Sequence, residues 1–106
     1  MVRTLLERTG VRPEAVEDLL TGTALRWEIN EAFAVVTLYA IKELGLDPET
    51  VNTGGGAIAI GHPLVVAGAR IIGTLARQMQ IDGVDYGVAT LCVGGGQGAA
   101  VVLERV

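Results

Sequence analysis

Residues 86–104 read YGVATLCVGGGQGAAVVLE, two apolar segments separated by a glycine-rich centre. The segments Tyr86–Val93 and Ala99–Glu104 have the length and composition of strands, and residues 94–98 can turn sharply between them. This stretch therefore predicts a β-hairpin. Because both strands are nearly all apolar, we expect a sheet that is covered on both faces.

Helices are predicted before the hairpin. Residues 30–44 carry apolar side chains over most of a helical circumference, which predicts a buried helix ending at Gly45. Residues 63–80 predict a helix that begins with Pro63 and has one apolar face, formed by Leu64, Gly68, Ile71, Leu75 and Met79. Two shorter helices are predicted at 2–9 and 13–20. The fold class expected is α/β, a layered domain with a mixed sheet and buried helices.

The composition excludes several classes of function. The chain has 106 residues, half of them hydrophobic, which is enough for one core without disulfides or a metal. Its net charge of −4 argues against nucleic acid or an anionic membrane as a partner. The long uncharged stretches are rich in glycine, so no membrane helix is expected. The single cysteine can form neither an internal disulfide nor a zinc cluster, and a cytoplasmic location is expected.

The only histidine lies in Gly61-His62-Pro63, at the entrance of the predicted helix. Its imidazole can donate or accept a proton near neutral pH, and Gly61 leaves room for a substrate carbonyl. Alternatively, His62 is a helix-entry residue whose nitrogens are satisfied by backbone groups.

The only cysteine, Cys92, precedes the glycines of the predicted turn. Free backbone N–H groups in such a loop can bind an oxyanion, and they can favour the thiolate of a neighbouring cysteine. Alternatively, Cys92 is an inert small hydrophobic residue of a strand.

Asn30 precedes the first predicted helix, where it can serve as the N-cap or use its amide to hold a water or an oxyanion. The glycines of residues 54–59 can be aligned with a dinucleotide-binding fingerprint. A convincing strand does not precede them, and the following helix begins too late. We therefore reject a dinucleotide site.

Three ordered motifs together resemble the signatures of one enzyme family. Residues 52–64 read NTGGGAIAIGHPL, residues 89–98 read ATLCVGGGQG and residues 28–34 read EINEAFA. These motifs resemble the histidine, cysteine and asparagine signatures in the C-terminal part of the thiolases, the acyltransferases that make or cleave 3-ketoacyl-CoA. The resemblance implies a thiolase-like C-terminal half-domain, with CoA thioesters as substrates and no resident cofactor or metal.

The resemblance also implies a role for each motif. Cys92 would be the acid/base thiol that removes and returns the α-proton of the acyl-CoA. His62 would help to activate a separate nucleophilic cysteine and, with a water held by Asn30, would stabilise the enolate oxygen. The backbone N–H of Gly94 would contribute to the oxyanion hole of the acyl-enzyme step.

The chain departs from the family pattern in two ways. Val65 and Ala67 stand where a glycine and a hydroxyl residue are usual. Residues 1–24 resemble a helical segment of the family's first domain and 25–106 the C-terminal domain, so the chain omits the nucleophilic cysteine between them. We therefore expect the chain alone to be inactive in thiolysis, and to form a homo-oligomer or join a complementing thiolase chain. The alternatives are a non-catalytic remnant that associates through apolar surface, and a small CoA- or nucleotide-binding module.

Overall fold

The computed structural model describes residues 25–106, so the predicted helices and the proposed segment within residues 1–24 lie outside the described residues. Strand β1 (Leu25–Ile29) is followed by helix α1 (Ala34–Leu44), a 3₁₀ turn (Pro48–Thr50) and the single-turn helix α2 (Ala57–Ile60). Helix α3 (Ala67–Asp82) then leads to strands β2 (Tyr86–Gly94) and β3 (Gln97–Glu104). The strand order is β1-β2-β3, with β1 parallel and β3 antiparallel to β2, which confirms the α/β class and the mixed sheet.

Hydrophobic clusters occupy both sides of the sheet. One cluster contains Leu25, Trp27, Ile29, Leu46, Val51 and Val88, and the other contains Ile71, Leu75, Met79, Val84 and Ala89. Helix α3 approaches β2 closely at Gly87, where a Cβ atom would lie 2.7 Å from both Leu75 Cδ1 and Met79 Sδ. The absent side chain at Gly87 therefore allows the helix to pack against the strand.

The hairpin is confirmed, with a tighter turn than predicted. Gly94 pairs with Gln97, so the connection is only Gly95 and Gly96, whose φ angles are +56° and +77°. Two successive positive φ angles match the twist of hairpin strands and are easiest for glycine. The loop is shorter than residues 94–98 because Gly94 pairs with Gln97 and Gly98 pairs with Cys92, so these residues belong to the strands.

Two predictions about burial are wrong. Helix α1 buries only Thr37 fully, and it contacts the sheet through the half-buried residues Ala40, Ile41 and Leu44. Of its other apolar side chains, Val36 is half-buried, whereas Val35, Leu38 and Tyr39 are exposed. β3 likewise has no fully buried residue, so the sheet is not covered on both faces there. An apolar composition indicates a surface that is suited to packing, but it does not determine whether another helix or strand packs against that surface.

Helix α3 begins four residues later than predicted. Residues 64–66 form a turn, and the helix begins at Ala67. Leu64 is consequently 82% exposed, although Ile71, Leu75 and Met79 lie on the buried face as predicted. His62 therefore lies in the loop before the helix and not at its entrance.

Candidate active site

The elements of the fold bring the predicted site residues to one edge of the sheet. Since β1 and β2 are parallel, with Ile29 opposite Thr90, their carboxyl ends meet at the same edge. Asn30 directly follows β1, and Cys92 lies near the end of β2. Ligands of open α/β sheets usually bind at this edge.

Helix α3 runs back along the sheet, and its direction places the histidine loop. Its later residues Leu75 and Met79 lie against Gly87 at the start of β2, whereas Ile71 lines a crevice with Leu91 near the end of that strand. The first turn of α3 is therefore at the carboxyl edge. The loop 61–66, which carries His62, enters the helix from that edge.

Asn30 is fixed to β2 through its backbone, whereas its side chain has no hydrogen-bond partner among the described residues. Its backbone N–H donates to the carbonyl oxygen of Thr90 at 2.9 Å, and the residue is 1% exposed. Neither Nδ2 nor Oδ1 has a hydrogen-bond partner within residues 25–106. The N-cap of α1 is Phe33, so the interpretation of Asn30 as a helix cap is wrong. A buried amide without a partner costs free energy and is found where a ligand or water can bind.

A side-chain network that the sequence analysis missed joins the asparagine and histidine motifs. Asn52 accepts from the N–H of Ile29 at 2.8 Å and donates to the carbonyl of the same residue at 2.9 Å. Asn52 also donates to Glu31 at 3.0 Å, and the other oxygen of Glu31 accepts from the N–H of Ile58 at 2.8 Å. Gly56 is needed beside this carboxylate, because a Cβ atom there would collide with it. The network thus fixes the start of the histidine loop against β1.

Glu28 and Arg70 are charged groups enclosed behind this edge. Glu28 is 2% exposed, and all three side-chain nitrogens of Arg70 are buried without a hydrogen-bond partner among the described residues. Burial raises the pKa of Glu28 to about 7, while the nearby charge of Arg70 lowers it and that of Glu31 raises it. Desolvation of the carboxylate is therefore the larger effect.

His62 and Cys92 are both exposed. At Cys92 the pairing shifts by one residue, from Cys92 with Gly98 to Gly94 with Gln97, so Val93 opposes no residue of β3. The bulge at Val93 changes the direction of the end of β2 beside Cys92.

Residues 25–106 contain no group of three or more potential metal-ligating side chains. No helix within the same residues has both the length and the apolar character needed to cross a bilayer.

Comparison with known proteins identifies the family. The family model for the C-terminal domain of thiolase matches residues 2–105. The chain is 45% identical over 105 residues to a probable acetyl-CoA acetyltransferase of Mycobacterium leprae, an alignment that covers 99% of this chain and 25% of the relative. It is 54% identical over 79 residues to the cytosolic acetyl-CoA acetyltransferase of Mus musculus, which covers 74% of this chain and 20% of the relative.

A third relative carries a different name. The peroxisomal 3-ketoacyl-CoA thiolase 2 of Arabidopsis thaliana is 53% identical over 81 residues, covering 74% of this chain and 18% of the relative. The chain thus spans about a fifth to a quarter of the length of these relatives. With a family match over nearly its whole length and motifs that converge on one edge of the sheet, the chain belongs to the thiolase family.

Proposed function

We propose that this chain supplies the histidine and acid/base cysteine half of a thiolase site that acts on CoA thioesters. The observation that carries the proposal is that Asn30 and the only cysteine lie at the carboxyl ends of β1 and β2, that the loop with the only histidine enters α3 from the same edge, and that the buried amide of Asn30 has no hydrogen-bond partner within residues 25–106. The names of the relatives, acetyl-CoA acetyltransferase and 3-ketoacyl-CoA thiolase, support acyl-CoA as the substrate class.

Each residue has a specific role in the proposed reaction. The Cys92 thiolate takes the α-proton of an acyl-CoA, and the electron pair left on the carbon forms the enolate. His62 and a water bound to Asn30 stabilise the enolate oxygen. The α-carbon then attacks the carbonyl of a second acyl group carried by another thiol, which leaves as the thiolate. In thiolysis the same steps run in reverse.

The second thiol is not within these 106 residues, because the sequence contains one cysteine. One sulfur atom cannot carry the acyl group and act as the base in the same step. The proposal therefore requires that the nucleophilic cysteine come from outside these 106 residues. In this proposal the backbone N–H of Gly94, which directly precedes the two-residue turn, contributes to the oxyanion hole of the acyl-enzyme step.

Thiolysis of acetoacetyl-CoA tests the proposal. The chain alone should show no CoA-dependent cleavage, and addition of a thiolase fragment carrying the nucleophilic cysteine should restore it. Activity should be lost with Cys92→Ala, and also when the cysteine of the fragment is replaced. Cleavage by the chain alone above the Cys92→Ala control, or restored cleavage that survives Cys92→Ala, would contradict the assignment.

A second candidate function, association without catalysis, is favoured by the exposed apolar surface. Phe33 is 73% exposed, Leu38 64%, Leu64 82% and Val65 99%. Apolar surface of this extent is typical of a protein interface. Size-exclusion chromatography with light scattering separates the two functions, since homo-association with no turnover in any complemented mixture supports association without catalysis.

A cytoplasmic location is also part of the proposal. The cytosolic mouse relative supports this location, and the peroxisomal plant relative does not.

A further inference from the structure

Strand β3 is the last strand of the sheet within the described residues, and its outer edge carries no protection. Among residues 25–106 the strand order is β1-β2-β3, so β3 pairs on one side only. Residues 97–104 read QGAAVVLE, with no lysine, no proline and no charge before Glu104. Edge strands are usually protected by such residues or by a bulge, and the bulge of this hairpin lies in β2, at Val93. An edge of this kind is suited to pairing with another strand.

The hydrogen bonds of the sheet determine which residues form that edge. The N–H of Arg105 donates to the carbonyl oxygen of Asp85 at 2.8 Å, one residue beyond the pairing of Tyr86 with Glu104. Because hydrogen-bonded pairs alternate along antiparallel strands, the odd-numbered residues of β3 direct their backbone groups towards β2. The backbone N–H and C=O groups that point away from β2 therefore belong to Gly98, Ala100, Val102 and Glu104.

We infer that two copies of the chain pair antiparallel through these edges, about a two-fold axis that passes between their Val101 residues. In this register Gly98 lies opposite Glu104 of the second copy, and Ala100 lies opposite its Val102. All four outward-pointing residues of each copy are used, which gives about eight backbone hydrogen bonds at two per pair. A shift by two residues in either direction leaves one outward-pointing residue of each copy without a partner in β3. The pairing joins the two sheets into one.

The side chains of this register are complementary in size and in charge. Ala99 lies opposite Leu103 of the second copy, as Ala100 lies opposite Val102, so each larger side chain meets a smaller one. Glu104 meets a glycine. The Glu104 carboxylates of the two copies are six residues apart along the strands, about 20 Å at about 3.4 Å per residue. This separation exceeds the screening length of about 8 Å at physiological ionic strength, so their repulsion is weak.

A crevice beside this edge has room for a side chain of the second copy. It measures about 100 Å³, and its lining is apolar and includes Ile71, Ile72, Leu91, Ala99 and Val101. Val101 packs against the cluster under α3, and Ala99 shares its face of the sheet. Directly opposite residues of antiparallel strands also share a face, so Leu103 of the second copy comes next to Ala99 at this crevice. The four carbons of a leucine side chain need about 120 Å³ at about 30 Å³ each, close to the space present.

Cross-linking through introduced cysteines tests the register. In Cys92→Ala/Val101→Cys, the thiols of two paired copies face each other at the two-fold axis. Cα atoms at such a non-hydrogen-bonded position are about 4.5 Å apart, within the range that a disulfide spans, so mild oxidation should give a covalent dimer. Cys92→Ala/Ala99→Cys is the matched control on the same strand and face. Its thiols would lie four residues apart, about 14 Å, and should not cross-link.

A proline in the edge tests the backbone pairing. The N–H of Ala100 points away from β2, so Ala100→Pro removes no hydrogen bond of the hairpin. It removes two hydrogen bonds from the paired copies, one at each Ala100, and the dissociation constant from light scattering should rise about tenfold or more. Ala100→Ser keeps the N–H and should associate like the wild type. Thermal unfolding followed by fluorescence of Trp27, the only tryptophan, verifies that each variant is folded.

The outcomes separate this interface from other modes of association. Cross-linking at residue 101 but not at residue 99, together with weaker association of Ala100→Pro, supports the inference. A wild-type chain that stays monomeric throughout the micromolar range would overturn it, as would equal cross-linking at the two positions. Association that is unchanged by Ala100→Pro would also overturn it, and would assign the interface to another surface. No arm measures acyl transfer, so the proposed function is tested separately.

Discussion

Replacing Glu28 by glutamine should remove a pH-dependent loss of stability. Burial raises the pKa of Glu28 from 4.5 to about 7, so the folded state holds a proton that the unfolded state releases at lower pH. The free energy of unfolding must then fall as the pH rises from about 4.5 to about 7, and this contribution is constant above pH 7. Between pH 5 and pH 8 the loss amounts to about 2–3 kcal/mol, at about 1.4 kcal/mol per pKa unit.

Urea unfolding measured by Trp27 fluorescence at intervals from pH 5 to pH 8 provides the assay. The wild type should lose the predicted stability over this range, whereas Glu28→Gln should lose about 2–3 kcal/mol less. Glu28→Gln should also change the free energy of unfolding by an amount that does not depend on pH, because the buried charge of Arg70 loses a nearby carboxylate. The difference in pH dependence is therefore the quantity to compare.

Glu43→Gln is the matched control, since it removes the same charge from an exposed position on helix α1. Its curve should run parallel to that of the wild type. Parallel curves for Glu28→Gln and the wild type would refute the reasoning, because they would mean that Glu28 titrates alike in the folded and unfolded chain.

The network beside the histidine loop leads to two further predictions. Gly56→Ala places a methyl group against the Glu31 carboxylate, which accepts a hydrogen bond from the N–H of Ile58 in α2, and it should lower the free energy of unfolding in urea by about 1–3 kcal/mol. Gly73→Ala, in open space on helix α3, should instead raise the free energy of unfolding by about 0.5–1 kcal/mol. Equal effects of the two substitutions would contradict the predicted clash at residue 56. Asn52→Ala removes both hydrogen bonds to the backbone of Ile29 and should lower the free energy of unfolding by about 2–3 kcal/mol. Thr53→Ala, at the exposed neighbouring position, should change it by less than about 0.5 kcal/mol. Similar losses for the two variants would show that the network does not stabilise the loop.

Local features of the fold could be predicted where one residue type decides the backbone. Gly45 ends helix α1 in the left-handed conformation, with φ of +65°, as its position after an apolar helix indicated. The glycines after Cys92 likewise predicted the hairpin. The start of helix α3 could not be obtained in this way. Pro63 is a good first helical residue, but the residues that follow form an exposed turn and the helix begins at Ala67.

The burial of helix α1 and the side-chain contacts of the site both depend on residues that are distant in the sequence. The apolar circumference of α1 predicted burial, but burial depends on which neighbours are present, and the described residues cover one stripe of that helix. The network of Glu31 and Asn52 joins side chains 21 positions apart, a distance that periodicity cannot bridge. A signal was nevertheless present, since both residues belong to the motifs that carry the family resemblance. Spacing identified the motifs, and the fold was needed to see their contacts.

Proximity of the only imidazole to the only thiol is the claim that one spectrum can test. Because His62 and Cys92 are each unique in the sequence, their proton signals can be assigned without ambiguity. Nuclear Overhauser spectra of the chain should contain cross-peaks between the His62 ring protons and the Cys92 β-protons. Spectra in which His62 contacts only residues distant from the ends of β1 and β2, with no cross-peak to Cys92, would contradict the proposed site.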